Sequence, residues 1–530
     1  FDSNAAKTAR IAGACHDLGK ASVYFQDYLF GKRKSSALSS HAKISALITF
    51  YIAALCGLPV EWRLSAFLAV LRHHGNLKIP SLDEIKALKM VLTEETQENE
   101  TLQKQLNSMD LRGISSWMAE KTNLFPGLPD SFDFTQDKIW SCIIAFRTLR
   151  IDGYVRDLPL SVALERQMVF ASIIHFDKIH SATGREGFLF PEIPSDAFEK
   201  FASRLSPPKN ETIQKIRTAV SAEAKEAWQE NPQARIFTLT APTGSGKTLA
   251  ILNAIFSNRH GKGPIIYCLP FTSIIDQNFE VIEKALKESG ISVTSEVLLK
   301  HHHLSDPKYQ TSDPEFDPDD SELFIETWQS GLIVTTFHQF AYAIFSGKNS
   351  TLKRLPKIAG ATVIFDEIQA LPRRYWEAVG NAIMNISKGF DTRFIFMTAT
   401  QPYLVRKEDS LEMISPKVRS ITLNRYEVSN HFLKPTSITE FCSILKKAIT
   451  ENPRLSRLIV LNRKKTVAGV ISFLSANFPK LRLFALSTNQ TPRHRRQILK
   501  QLNQCMKDEE TVVLVSTQII EAGMDLDFPE

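Results

Sequence analysis

Ala241-Pro-Thr-Gly-Ser-Gly-Lys-Thr248 has the residue types and spacing to hold the phosphates of a nucleotide. Glycines 244 and 246 let the backbone curl so that successive N–H groups face an anion, and a helix opening directly after them adds its positive dipole end. Lys247 is placed to hold the β and γ phosphates and Thr248 to bind Mg2+, while Thr243, Gly244, Ser245 and Gly246 line the cradle. Ala241 takes the place of the pattern's first glycine. A chance turn of this composition would not also lie between a strand-like run, RIFTLT, and a helical run, LAILNAIF, as this one does. The matching acidic element is Ala361-Thr-Val-Ile-Phe-Asp-Glu-Ile-Gln369, where four apolar residues bury a strand and deliver Asp366 and Glu367 to its C-terminal edge. There Asp366 would reach Mg2+ through water, and Glu367 would orient the water that attacks the γ-phosphate.

A second constellation consists of His16-Asp17, His41, His73-His74 and Asp177. Each of these histidines taken alone is more simply a packed or partnered residue. Carried on separate helices, however, imidazoles and carboxylates can converge on one pocket. A mixed nitrogen and oxygen ligand set suits Mn2+, Fe2+, Co2+ or Ni2+ better than a thiolate site would. His301-His-His303 is read differently, as a surface or nucleic-acid-facing loop between a strand and an acidic stretch.

These residues need two kinds of scaffold. At 530 residues the chain is too long for one hydrophobic core, so several domains are expected. Apolar residues recur at helical spacing up to about Arg204, as in Ile44, Leu47, Ile48, Tyr51, Ile52 and Leu55, which predicts an all-α first domain. Leu205-Ser-Pro-Pro-Lys-Asn-Glu211 breaks that pattern with two prolines and predicts a junction. Beyond it, short β-branched runs (PIIYCLP, GLIVTT, ATVIFDE, RFIFMTAT, RLIVLN, TVVLVST) alternate with helical stretches, the grammar of parallel sheets covered by helices. The acidic segment from Asp306 to Glu322 reads as a solvated loop. Six dispersed cysteines without a C-x-x-C pair argue against a zinc ribbon and against a disulfide framework. The apolar stretch from Ile44 to Val60 is too short for a membrane span and reads as a buried helix. A formal charge of +7 permits a polyanionic partner without requiring one. Lys464-Lys465 and Arg493, Arg495 and Arg496 are basic clusters that could track a phosphate backbone.

The motor-like residues resemble superfamily 2 helicases, in which a set such as Thr398-Ala-Thr400 couples the nucleotide site to strand movement. Leu461-Asn-Arg-Lys464 opens the second α/β unit, and Val515 to Asp525 (VSTQIIEAGMD) looks like the motif that touches both backbone and nucleotide. Cys268-Leu-Pro-Phe-Thr-Ser-Ile-Ile-Asp-Gln-Asn278, Val334-Thr-Thr-Phe-His-Gln-Phe340, Asp366-Glu-Ile-Gln369 and Ser516-Thr-Gln-Ile-Ile-Glu-Ala-Gly523 together resemble the CRISPR-associated helicase-nuclease of type I interference. The order His-Asp, single His, His-His-Gly, Asp resembles the HD phosphohydrolase superfamily as that family carries it.

The resemblance implies a fold: an all-α HD nuclease domain (1–205), a first RecA-like domain (206–422) and a partial second one (423–530), both with parallel sheets. It also implies that His16, Asp17, His41 and Asp177 hold one metal, with Asp17 bridging to a second held by His73 and His74. His175 stands where the family has an acidic residue and is read either as a support behind the metal ligands or as structural. The family's histidine upstream of the HD pair would lie before Phe1, and its two-arginine motif beyond Glu530. The implied activity is ATP-driven movement on single-stranded DNA with metal-dependent endo- or exonucleolytic cleavage, in a prokaryotic cytoplasm. ATP, Mg2+ and one or two divalent transition metals are the implied cofactors. A crRNA-guided type I surveillance complex is the implied recruiter, a viral inhibitor is a further candidate partner, and no membrane is expected. Two other readings stand beside this one: an HD domain that hydrolyses nucleotides, and one that is a metal-free recruitment module.

Overall fold

The structure, a computed structural model, describes residues 3–77, 96–145, 158–184, 190–208, 210–303, 308–311, 317–399, 404–421 and 436–520. The chain divides into two compact units, one formed by residues 1–269 and 281–421, the other by 270–280 and 422–530.

In the first unit the N-terminal part is helical. Four helices carry the histidine and carboxylate positions: α1 (Ser3–Cys15), α2 (Ala42–Leu55), α3 (Val60–Arg72) and α4 (Leu160–Thr183). Helix α2 is apolar almost all round and is accordingly buried from Ile44 to Ala53, with α1 and α3 packed against it. No helix among the described residues is long and apolar enough to cross a membrane. Helix α4 ends where Gly184 takes the left-handed conformation (φ 66°) and its N–H closes on the His180 carbonyl. At the predicted junction one helix ends at Arg204 and the next begins at Glu211, with the Asn210 side chain accepting from the N–H groups of Thr212 and Ile213, and both sides belong to the same compact unit.

Seven strands follow: β1 (Ile236–Thr240), β2 (Ile265–Leu269), β3 (Leu298–His301), β4 (Leu332–Thr336), β5 (Thr362–Asp366), β6 (Arg393–Thr398) and β7 (Leu411–Glu412). They form one sheet in the order β3-β4-β2-β5-β6-β1-β7, every pairing parallel. The inner strands are buried along their whole length, the reason their sequences read as unbroken apolar runs.

The second unit repeats the architecture on a smaller scale. Strands β8 (Arg457–Val460), β9 (Arg482–Leu486) and β10 (Val512–Ser516) form a parallel sheet in the order β8-β10-β9, with helices Ile438–Glu451, Lys464–Asn477 and Pro492–Lys507 alongside. The all-α region followed by two RecA-like parallel-sheet parts is therefore the observed fold class. The end of the Thr398–Thr400 motif and the stretch from Glu521 to Asp525 lie outside the described residues.

One expectation is corrected. His301 and His302 are not on a surface loop: they are 8% and 6% exposed, and His301 closes strand β3. Its ring nitrogen accepts a hydrogen bond from the Trp328 indole at 2.9 Å, so burial rather than nucleic-acid contact accounts for it. The acidic stretch is also only partly loop, because a helix starts at Ser321.

Candidate functional site

The phosphate cradle lies between β1 and the helix Lys247–Ser257. Gly244 and Gly246 both have φ of 77°, a conformation that leaves side chains other than hydrogen strained. Lys247 is buried and folded back, its ammonium donating to the carbonyls of Ala241 (3.0 Å) and Pro242 (3.4 Å). Burial, offset in part by Glu367 and Asp366, lowers its pKa. Asp366 ends β5 and is buried, which pushes its carboxyl up to about 6 although Tyr267 donates to it. That hydrogen bond runs from Tyr267 Oη to Asp366 Oδ2 at 2.7 Å, and the same hydroxyl lies 3.2 Å from Thr248 Oγ1. Glu367 follows with φ of 54°, and its carboxylate accepts from the Gln369 amide. Gln369 Oε1 in turn accepts from Thr398 at the end of β6, at 2.8 Å, so the acidic motif and the strand-end threonine share one network. These groups fit Mg2+ and a nucleotide triphosphate: an anion-shaped backbone turn, one ammonium, one hydroxyl and two carboxylates.

Sequence reasoning missed two members of this site. Tyr267 sits in an apolar strand run and signals packing, not chemistry. Arg217, on the helix Glu211–Glu230, donates from Nε to the Gly244 carbonyl at 3.1 Å and steadies the cradle.

The second constellation also assembles. Asp17, just past α1, is central: its Oδ1 lies 3.2 Å from His41 Nε2 and 3.9 Å from His73 Nε2, and its Oδ2 lies 3.5 Å from His16 Nε2. Asp177 on α4 approaches His16 Nε2 at 3.4 Å, and His74 Nε2 is 3.0 Å from His41 Nε2. Ligand atoms of His16, Asp17 and Asp177 all lie within 4.8 Å of one another, as do those of His41, His73 and His74. His41 thus stands in reach of both halves.

The tautomers are prepared. The Nδ1 of His16 bonds the Gly13 carbonyl (2.7 Å) and that of His73 bonds the Val70 carbonyl, which turns both Nε2 atoms toward the space beside Asp17, where a neutral imidazole offers a lone pair to a cation. Two of the converging atoms, Asp17 Oδ1 and His73 Nε2, are buried without a hydrogen-bond partner. Electrostatics agree: burial pushes His73 down to about 4 and also lowers His74, while burial works against the Asp17 charge but His41 and Lys20 outweigh it and hold that carboxyl well below its usual range. For His16, burial opposes protonation, yet the bond to Asp177 and the charge of Asp17 prevail and raise it. The orphaned buried atoms of Asp17 and His73, the imidazoles of His73 and His74 that burial keeps unprotonated, and the anionic carboxylates make a donor set suited to divalent cations.

His175 lies among buried partners of the first unit. It is buried, its Nδ1 donates to the Lys353 carbonyl, and its other nitrogen faces Gln329 Nε2 at 3.3 Å; burial pushes it down to about 4. The basic residues of the second unit are placed at helix starts: Lys464 and Lys465 open one helix, and Arg493, Arg495 and Arg496 lie in the first turns of another.

Residues 219–407 match the family of DEAD/DEAH box helicases, and residues 455–529 match the C-terminal region of the CRISPR-associated nuclease/helicase Cas3. A CRISPR-associated nuclease/helicase Cas3 from Haloferax volcanii is 28% identical over 451 residues, spanning 76% of this chain and 46% of that protein. One from Methanothermobacter thermautotrophicus is 23% identical over 305 residues, spanning 55% of this chain and 35% of its own length. The chain therefore spans less than half the length of these relatives. A crystal structure of T. fusca Cas3 has the same fold over 100% of this chain and 65% of its own, with a TM-score of 0.60 at 17% identity.

Proposed function

From the premise that the chain is a Cas3-like helicase with a DEAD-type nucleotide-binding part, we propose that it couples ATP-driven movement along single-stranded DNA to metal-dependent cleavage of the strand. The observation that carries the nuclease half is the convergence of His16, Asp17, His41, His73, His74 and Asp177 around one carboxylate with orphaned buried atoms. Residues 1–205 are then the nuclease domain, 206–422 the first motor domain and 423–530 part of the second.

When bound, two divalent ions would supply a hydroxide nucleophile and stabilise both oxygens of an in-line displacement. The protein's own contribution is to hold them: His16, Asp17, His41 and Asp177 would hold one, and His73 and His74 would help hold the other, with Asp17 shared between them. Lys20, whose ammonium is 2.7 Å from Asp17 Oδ2, keeps that carboxylate oriented. In the motor, Lys247 and the backbone of Thr243 to Gly246 would hold the phosphates, Thr248 and Asp366 the Mg2+, and Glu367 the attacking water. Recruitment by a type I CRISPR surveillance complex follows from the kinship and belongs to the same proposal.

The test is metal analysis of the purified protein together with its products from a single-stranded DNA circle. A linear product that depends on Mn2+ or another transition metal supports the nuclease. Conversion of added deoxynucleoside monophosphates to nucleosides with the circle intact would replace this reading with nucleotide hydrolysis, and no metal with no cleavage would leave a recruitment module.

A further inference from the structure

The histidine turn of the metal cluster is gripped from outside its own domain. We propose that Gly347 and Asn349, in the motor sheet's half of the first unit, form a clasp that positions the His73–His74 turn, so that one half of the metal centre is complete only with the helicase part in place. This rests on reading the cluster as a metal centre.

Helix α3 ends at Arg72, and the carbonyls of a helix's last turn have no partner within the helix. Asn349 Nδ2 supplies donors to two carbonyls here, those of His73 (3.3 Å) and Gly75 (3.2 Å). Its backbone N–H donates to Asn76 Oδ1 at 2.9 Å, so that Asn349 is the donor in all three bonds between the two segments. Two residues earlier, Gly347 lies so close that a Cβ there would come within 2.4 Å of the Leu77 carbonyl oxygen; only glycine lets the two backbones meet. Residues 73–77 are thereby held at four points, His73, Gly75, Asn76 and Leu77. The same segment reaches the other metal-bearing helix, where the Lys353 carbonyl accepts from His175, two residues before Asp177.

The two halves of the centre depend on this clasp unequally. Asp177 lies inside the 24-residue helix α4, whose own backbone bonds hold it. His73 and His74 lie past the end of α3, where His74 is exposed and the chain would otherwise fray. Loss of the clasp loosens these two ligands first. Partners that orient metal ligands are worth roughly 10- to 100-fold in affinity.

The experiment titrates the metal-free full chain with Mn2+, counting free ion by electron paramagnetic resonance, in the wild type, Asn349→Ala, Asn349→Asp and Asn76→Ala. Asn349→Asp keeps the shape but replaces the donor with an acceptor facing two carbonyls, and Asn76→Ala weakens the clasp from the helical side. Binding of a fluorescent ATP analogue reports that the motor remains folded. The wild type should take up two ions. Both Asn349 variants should keep one at an affinity within about twofold and bind the second at least about tenfold more weakly, with Asn76→Ala between. Wild-type uptake of both ions by the Asn349 variants overturns the clasp, as does equal weakening of both ions with nucleotide binding intact. A wild type that binds no Mn2+ overturns the metal-centre reading and the clasp with it.

Discussion

Tyr267 puts one hydroxyl between Thr248 and Asp366, the two groups assigned to the Mg2+ of the nucleotide site. In a fully buried position it can accept from the threonine while donating to the carboxylate, which aligns both for one ion. Tyr267→Phe should leave nucleotide affinity in EDTA within about twofold of wild type but reduce the enhancement by Mg2+ by roughly tenfold, the worth of about one hydrogen bond to a charged group. A fluorescent nucleotide titrated with and without Mg2+ measures this, and equal enhancement in both proteins would remove Tyr267 from the site. At this scale the sequence was legible where a residue type names its chemistry. Lys247, Thr248 and Asp366 announce themselves. Tyr267 and Asn349 do not, because a tyrosine in an apolar strand and an asparagine in a loop are ordinary, and only the folded chain puts them against the functional groups.

The elements show why spacing along the chain could not by itself assemble the histidine cluster. Its members are brought together by the packing of α1 against α3 and α4, contacts far apart in sequence. Resemblance to a known ligand order indicated the set; local pattern did not. A short turn from Leu18 to Ala21 completes it, where the Gly19 N–H donates to Ser45 Oγ at 2.8 Å and a Cβ would come within 2.5 Å of the His41 carbonyl. Gly19→Ala should therefore destabilise the helical part by about 1 to 3 kcal/mol through overpacking and displace His41. Thermal unfolding and Mn2+ affinity would both fall, and an unchanged melting temperature would contradict the packing argument.

His301 makes a second element testable. Burial, with Arg354 and His302 adding to it, pushes this imidazole down to about 3, while in the unfolded chain it titrates near the ordinary 6.5. Between those values the unfolded state binds more protons, so stability is full above about pH 6.5 and declines as pH falls toward 3. The loss is at most about 5 kcal/mol. His301→Asn keeps an acceptor for the Trp328 indole without a titrating group, so its melting temperature should fall less steeply from pH 6.5 to 4 than the wild type's. Parallel curves would contradict the assignment. The sequence misled here because three consecutive histidines beside an acidic stretch look solvated, whereas strand pairing buries the first.

At the scale of the whole molecule, the sequence anticipated an all-α region and two parallel-sheet parts, since helical and strand periodicities are local properties. It did not foretell that the helical region and the first sheet form one compact unit, because the grip of Gly347 and Asn349 on the His73 turn is long-range packing. The exposed lysines and arginines of the second unit carry a further expectation. If they follow a DNA backbone, affinity for single strands should drop with log salt at a slope of about −0.7 per phosphate contacted, and replacing Lys464 and Lys465 should make that slope shallower. A salt response identical to wild type would place the DNA path elsewhere.

Two chemistries in one chain should nevertheless be separable, because the nucleotide cradle and the histidine cluster share no residue. The direct measurement is to incubate a single-stranded DNA circle and Mn2+ with the full-length protein as wild type, Asp17→Ala and Lys247→Ala, following strand cleavage and ATP hydrolysis together. Asp17→Ala should lose cleavage, since the carboxylate between the two ligand groups is gone, and keep its ATPase. Lys247→Ala should lose ATP hydrolysis by about 100-fold or more, the scale of one removed transition-state donor, and still nick the naked circle. Loss of nicking in a folded Lys247→Ala protein, or undiminished cleavage by Asp17→Ala, would contradict the account.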